Sequence, residues 1–106
     1  TAQDTICDGF HLYGTGDPLD YGLVGAYTAQ YNTPESAKVM FDMLTKNSAR
    51  IFDPDAAYGI EVGNDADLNI IDAQNVQEAL RTRASRPYVI RKGKVIASFV
   101  RTATLY

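Results

Sequence analysis

PYVIRKGKVIASFV (residues 87–100) holds two short runs rich in β-branched residues, separated by Lys92-Gly93. A glycine between two such runs is typical of a β-hairpin turn. We therefore expect two paired strands, over 89–91 and 94–99. This hairpin decides the fold prediction, because it requires a sheet in a chain whose earlier segments have helical patterns.

A first helix is predicted to run to residue 31. Asp17 can cap its N-terminus, and Pro18 fits the first helical position because its missing N–H costs nothing there. Apolar residues recur every four positions along one face, at Leu19, Leu23, Tyr27 and Tyr31. Gly22 and Gly25 weaken the helix by roughly 1 kcal/mol each relative to alanine. Another part of the chain is therefore expected to pack closely against both glycines.

A second helix is predicted after Thr33, which can cap it, with Pro34 at the first helical position. Its buried stripe is expected at helical spacing, on Val39, Met40, Met43 and Leu44. A break near Asn47 is expected to separate one last helical turn. Asp53-Pro54 then ends the helical region.

A third strand is predicted in DLNIIDA (67–73), and NVQEALRTRA (75–84) predicts a surface helix between it and the hairpin. Asp67 can accept backbone N–H groups just before this strand begins. Three short strands leave two open sheet edges, which need another layer or further strands to be stable. The completing strands are expected from a missing N-terminal segment or from a second copy of the chain.

Composition excludes several classes of protein. With 106 residues, 45% hydrophobic and 22% charged, the chain has the composition of one soluble domain. A net charge of -3 argues against a nucleic-acid partner, and no apolar run is long enough for a membrane span. A single cysteine forms no internal disulfide, which is typical of a reducing compartment. The chain is therefore predicted to be cytoplasmic, with neither a nucleic-acid nor a membrane partner.

Two motifs resemble the C-terminal end of amidohydrolase-superfamily enzymes. The first is MLTKNSARIF (43–52) followed by YGIEVGNDADLNIID (58–72), and the second is RPYVIRKGKVIAS (86–98). In that superfamily a last barrel helix leads through a Gly-Ile-x-x-Gly-x-x-Ala-Asp-Leu turn into a small β-domain. The resemblance implies an α/β fragment in which 1–55 form the end of a (β/α)8 barrel and 56–106 a small β-sheet subdomain with a hairpin.

The opening AQDTICDGFHLYGTGDPL (2–19) is similar to the segment that follows the eighth barrel strand of cytosine deaminases. Asp4 matches the aspartate that binds the catalytic metal in that family. Thr5 stands where the family commonly has a second aspartate that contacts the base, and Gly9 replaces the usual proline. The resemblance implies that Asp4 is a catalytic residue and metal ligand. It also implies that Thr5 contacts the substrate, which is cytosine or a related aminated heterocycle.

The implied reaction is a hydrolytic deamination. A divalent metal, Fe or Zn, lowers the pKa of a bound water, so that hydroxide forms near neutral pH and attacks the ring carbon. Asp4 accepts the proton of that water, while a histidine and a glutamate from other strands move protons and ammonia leaves.

One histidine is too few for the metal site of this family, which takes several histidines from earlier barrel strands. A cation held by Asp4 alone would be lost to solvent. We therefore expect the chain to be a C-terminal fragment separated from its N-terminal barrel. In isolation it is expected to bind no metal and to be inactive.

Other residues near the N-terminus have simpler interpretations. Asp8 is interpreted as a turn or capping residue, His11 as a polar surface residue, and Cys7 as a small buried apolar residue. Four tyrosines are interpreted as packing against a barrel wall or a partner rather than stacking on a base, namely Tyr13, Tyr21, Tyr27 and Tyr31.

Two alternatives remain open. The chain could be a stand-alone binding or assembly module that pairs its open strands with a second copy. It could also be a fragment of an amidohydrolase that hydrolyses a different cyclic amide, because the C-terminal motifs are shared across the superfamily.

The open strands predict that the purified chain forms a homo-oligomer at micromolar concentration, because unpaired edges and apolar strand faces associate. Sedimentation velocity over a concentration series measures this directly. A single monomeric species throughout the series would show that the strand edges are protected.

Overall fold

The computed structural model describes residues 5–9, 12–55 and 57–105. The helices in these ranges are α1 (Pro18–Thr28), α2 (Pro34–Leu44), α3 (Lys46–Phe52) and α4 (Val76–Thr82), and the strands are β1 (Leu68–Ile70), β2 (Tyr88–Arg91) and β3 (Lys94–Ser98). The prediction of N-terminal helices followed by a small sheet with a hairpin is confirmed. None of these helices has the length and apolar character that crossing a lipid bilayer requires.

Local sequence signals set where the helices begin. Asp17 caps α1, and one of its carboxylate oxygens accepts the Leu19 N–H at 2.8 Å. Thr33 caps α2 and forms a reciprocal capping box with Ser36. Asn75 caps α4, and its side-chain oxygen accepts the Glu78 N–H at 2.9 Å. These contacts satisfy N–H groups that have no partner inside the helix.

The break between α2 and α3 lies at Thr45, two residues before the predicted position at Asn47. Thr45 has φ -120° and ψ -93°, outside the helical region. Its hydroxyl donates to the carbonyl of Phe41 at 2.8 Å. Such a side-chain bond competes with the helical backbone, which is consistent with the interruption of the helix at this threonine.

The core lies between the helices and not beneath the sheet. Four buried residues form its centre, namely Leu19, Ala37, Met40 and Leu80. Helix α4 packs against both α1 and α2, although it comes from the part of the sequence that also forms the sheet. The helices therefore associate across the predicted boundary at residue 55.

The buried faces of α1 and α2 differ in part from the predicted stripes. Tyr27, predicted on the same face as the buried Leu19, is 72% exposed, and Gly22 is buried instead. The prediction for Val39 was wrong, because this residue is exposed while Ala37 is buried. Small residues occupy the helix contacts because the three helices lie close together there.

Two glycines of α1 allow this close approach, as the sequence predicts. A methyl group added at Gly22 would overlap the side chain of Leu44 and lie 2.9 Å from Cδ2 of Leu80. At Gly25 the added methyl would lie 3.0 Å from Cε of Met40. Both positions are therefore in contact with the neighbouring helices.

Strand β2 is the central strand and pairs antiparallel with β1 and β3. Lys92 and Gly93 both have positive φ, 49° and 74°, which is the geometry of the predicted hairpin turn. The Lys92 N–H donates to Oδ1 of Asp67 at 2.6 Å, and the Gly93 N–H donates to the carbonyl of Ala66 at 3.1 Å. The predicted backbone contact of Asp67 is thereby confirmed, and the turn is fixed to the segment before β1.

The sheet leaves much of its apolar surface uncovered. No strand residue in the described ranges is buried. Ile70 and Tyr88 lie opposite each other on β1 and β2, and both are about half exposed. On β3, Val95 and Ile96 are 59% and 60% exposed. Surface of this kind is typical of a protein or subunit contact.

Replacing Gly22 with alanine is expected to lower the free energy of unfolding by about 1 kcal/mol, whereas Gly25→Ala is expected to leave it unchanged or raise it. Alanine gains about 1 kcal/mol in helix propensity at both positions. At Gly22, overpacking against two leucines costs about 1–3 kcal/mol. At Gly25 the neighbour is the flexible end of Met40, which can move.

Urea unfolding of the two variants measures the difference. Equal effects at Gly22 and Gly25 would contradict the close packing of Gly22 against α2 and α4.

Candidate functional site

The loop that precedes α1 contains the residues singled out near the N-terminus. Asp4, the predicted catalytic residue and metal ligand, lies outside the described residues, as does His11. Thr5, the predicted substrate contact, is half-buried. Cys7 is exposed, so the prediction of a buried apolar residue was wrong. The thiol stays at the surface and donates to the carbonyl of Leu12 at 3.8 Å.

The two ends of this loop are in contact with each other. Gly16 has a φ of 74°, and a methyl group added to it would lie 3.4 Å from Cδ1 of Ile6. The side chain of Ile6 therefore lies against the backbone just before α1. Because Thr5 is the neighbour of Ile6, its position is linked to the residues that begin the helix.

A polar network surrounds the first turn of α1. The hydroxyl of Thr15 accepts the Asp17 N–H at 3.2 Å and donates to the carboxylate of Asp20. The guanidinium of Arg86 donates to both carboxylate oxygens of Asp17, and Arg83 pairs with Asp20 at 3.6 Å. We call these five residues the helix-start network.

The ion pair between Asp17 and Arg86 joins residues 69 positions apart in the sequence. Each side chain is 24% exposed, and the contact is bidentate, which fixes its geometry. Burial raises the pKa of the Asp17 carboxyl, but hydrogen bonds from Arg86 and from the Leu19 N–H, together with the charges of Arg86 and Arg83, outweigh it. The pKa therefore lies below its ordinary value of 3.8. Asp17 is ionised at neutral pH.

A cleft of about 410 Å³ opens beside this ion pair. It lies between the helices α1 and α2 on one side and the segment around Tyr58 and β1 on the other. Its walls are mostly apolar side chains, among them Leu19, Phe41, Leu44, Ile60 and Leu68. Lys46, Asp67 and Arg86 add charge at its walls.

The metal implied by the resemblance requires several ligands close together. Within 5–9, 12–55 and 57–105, no three His, Cys, Asp or Glu side chains come close enough to hold a metal ion. The donor set of the described residues therefore does not fit a metal by itself. The roles of Asp4 and Thr5 remain predictions.

Sequence reasoning identified Asp17 as a helix cap but did not identify Arg86 as its partner. Local patterns carry no information about a contact between residues so distant in the chain. The available signal was the placement of Arg83 and Arg86 just after α4, in a chain of net negative charge. That placement does not indicate which carboxylates the arginines bind.

Known enzymes match this chain, although no protein-family model does. N-isopropylammelide isopropyl amidohydrolase of Pseudomonas sp. (strain ADP) is 32% identical over 95 residues, which are 90% of this chain and 24% of that protein. Crystal structures of 5-methylcytosine deaminase from Klebsiella pneumoniae, liganded with 5-fluorocytosine or with phosphonocytosine, both superpose with a TM-score of 0.88. Their sequences are 33% and 32% identical to this chain.

The predicted resemblance to amidohydrolases and cytosine deaminases is confirmed. The superpositions cover 99% of this chain but only 25% and 26% of the deaminase chains. The chain thus spans about a quarter of the length of the relatives it matches. The observed α/β unit corresponds to the C-terminal part of an amidohydrolase.

Replacing Asp17 with asparagine is expected to lower the free energy of unfolding at neutral pH by about 1 kcal/mol, after allowance for solvent screening. Because the folded-state pKa of Asp17 is depressed, its stabilising contribution is present above the unfolded pKa and is lost as the pH falls through the folded pKa. The difference between wild type and Asp17→Asn should therefore be complete at neutral pH and shrink progressively as the pH falls through 3.8 towards the lower folded-state pKa.

Urea unfolding at a series of pH values tests this dependence. Asparagine keeps an oxygen that can cap α1, so the comparison isolates the carboxylate charge. A difference that stays constant down to the most acidic conditions would contradict the role given to the charge.

Proposed function

We propose that this chain is the C-terminal part of a metal-dependent amidohydrolase that deaminates cytosine or a related aminated heterocycle. The observation that carries the proposal is its superposition on 5-methylcytosine deaminase, with a TM-score of 0.88 over 99% of the chain. In this proposal, 1–55 complete a (β/α)8 barrel and 56–106 form a small β-subdomain. The active sites of such barrels lie in the loops at the C-terminal ends of the strands.

The loop before α1 is proposed as this chain's contribution to the active site. Asp4 is proposed as a catalytic residue and one metal ligand, and the other ligands come from the N-terminal barrel. A bound Fe or Zn ion would supply the Lewis acidity that generates a nucleophile from water at neutral pH. The hydroxyl of Thr5 can both donate and accept a hydrogen bond, which suits a ring nitrogen beside an amino group.

The uncovered sheet supports the proposal that an N-terminal part of the enzyme packs against this chain. Apolar residues on all three strands are about half exposed or more, among them Ile70, Tyr88 and Val95. In the proposal the N-terminal part of the enzyme supplies the missing strands and covers this surface. The isolated chain would be inactive and would use the same surface to form a homo-oligomer.

We also propose that the whole enzyme is cytoplasmic.

A second substrate class is favoured by the Pseudomonas relative, whose name specifies an N-isopropyl compound. Its identity to this chain, 32%, differs little from the 33% of the deaminase. Overall sequence identity therefore does not distinguish between ammonia and isopropylamine as the leaving group. Thr5 replaces an acidic residue common in cytosine deaminases, and this substitution keeps the second class open.

Replacing Asp4 with asparagine in the whole enzyme is expected to remove bound metal and to lower kcat/KM for deamination by about 100-fold or more, because one carboxylate provides both a ligand and a proton acceptor. Metal content is measured by mass spectrometry and activity by release of ammonia from cytosine. The matched control is Asp55→Asn, which alters an exposed carboxylate in the turn after α3 and should change neither quantity.

Retention of metal and activity by Asp4→Asn would contradict the proposal. Release of isopropylamine from an N-isopropyl substrate, without release of ammonia from cytosine, would select the second substrate class.

A further inference from the structure

Arg86 is the residue through which the segment before β2 holds the start of α1. Its guanidinium donates to both carboxylate oxygens of Asp17, with one of the two hydrogen bonds at 3.0 Å. A planar guanidinium that binds a carboxylate in this manner restrains its orientation as well as its distance. A lysine at the same place would provide the charge but not the fork.

From Asp17 the contacts continue into the loop. The backbone N–H of Asp17 donates to the hydroxyl of Thr15 at 3.2 Å. The residue between them, Gly16, lies against the side chain of Ile6. A continuous series of contacts therefore leads from Arg86 through Asp17 and Gly16 to Ile6, which adjoins Thr5.

Burial gives this loop little stabilisation of its own. Ile6 is 61% exposed, and Cys7 is exposed as well. Because little apolar surface of these residues is removed from water, their position depends on the contacts at the other end of the loop. At that end, the helix-start network connects the loop to a distant segment of the chain. The connection is made by Arg83 and Arg86.

We propose that Arg86 is a positioning residue for residues 5–9 and acts on them through Asp17. The inference rests on the proposed function, in which the neighbouring Asp4 and Thr5 belong to the active site. It deepens that function by identifying a residue of the sheet-forming half that sets the position of Thr5, the proposed substrate contact. Arg86 is not assigned any contact with the substrate.

The test compares Arg86→Gln and Arg86→Lys in the isotopically labelled chain by NMR. One readout is the nuclear Overhauser effect between the Ile6 methyl groups and the Gly16 Hα protons. Another is amide hydrogen exchange at Asp17, whose N–H donates to the Thr15 hydroxyl. Arg86→Gln is expected to abolish the Overhauser effect between Ile6 and Gly16. It is also expected to accelerate exchange at Asp17 about tenfold relative to the core amide of Leu80. Arg86→Lys, which keeps the charge, is expected to retain part of the Overhauser effect and to accelerate exchange less.

The matched control is Arg81→Gln. Arg81 pairs with Glu78 within α4 and has no place in the helix-start network, so the loop signals should not change. If Arg86→Gln fails to fold, Asp17→Asn removes the same ion pair while keeping a helix cap, and the same loss of the Ile6 contact is expected.

Unchanged loop signals in both Arg86→Gln and Asp17→Asn would overturn the proposal. Equal acceleration of exchange at Asp17 and Leu80 would also overturn it, because it would show a general loss of stability and no specific positioning. Since neither readout requires metal or substrate, failure here is distinguishable from failure of the proposed deaminase function, which the Asp4→Asn experiment tests.

Discussion

The ion pair between Asp17 and Arg86 connects the two halves of this chain. Asp17 is simultaneously the cap of α1 and the carboxylate that receives the guanidinium at both oxygens. The start of α1 determines where Gly22 meets α2 and α4, so the cap also bears on the helical core. On its other side, the pair restrains the loop that leads back to Thr5. One partly buried contact thus links the core, the loop and the segment before the hairpin.

The helices have a buried core, whereas the sheet has none among the residues that the structure describes. The helices share a core of tightly packed small and apolar residues, in which Gly22 has no room for a methyl group. The sheet has its hydrogen bonds and a well-defined turn at Lys92 and Gly93, but its strand residues in the described ranges are not buried. This contrast supports the proposal that the chain functions with the rest of a larger amidohydrolase. The chain spans about a quarter of the length of the relatives it matches.

Features that depend on neighbours in sequence were predictable, and features that depend on distant contacts were not. The caps at Asp17 and Thr33 and the hairpin turn follow from short-range hydrogen bonding and backbone conformation. The exposure of Tyr27 was not predictable, because spacing along a helix does not show from which side other helices approach. The placement of Arg86 just after α4 did not indicate its pairing with Asp17, because local patterns carry no information about a residue 69 positions away. Asp4 was identified through a resemblance, and its role as a metal ligand stays a prediction.

The central claim is that this chain works as the C-terminal part of a larger metal-dependent enzyme. The most direct test is the intact mass of the native gene product in its own cells, compared with the 11.6 kDa of this chain. The account predicts a product several times larger, long enough to include a barrel of roughly 250 residues. A native product of 11.6 kDa would contradict it, because Asp4 would then have no barrel to complete its metal site.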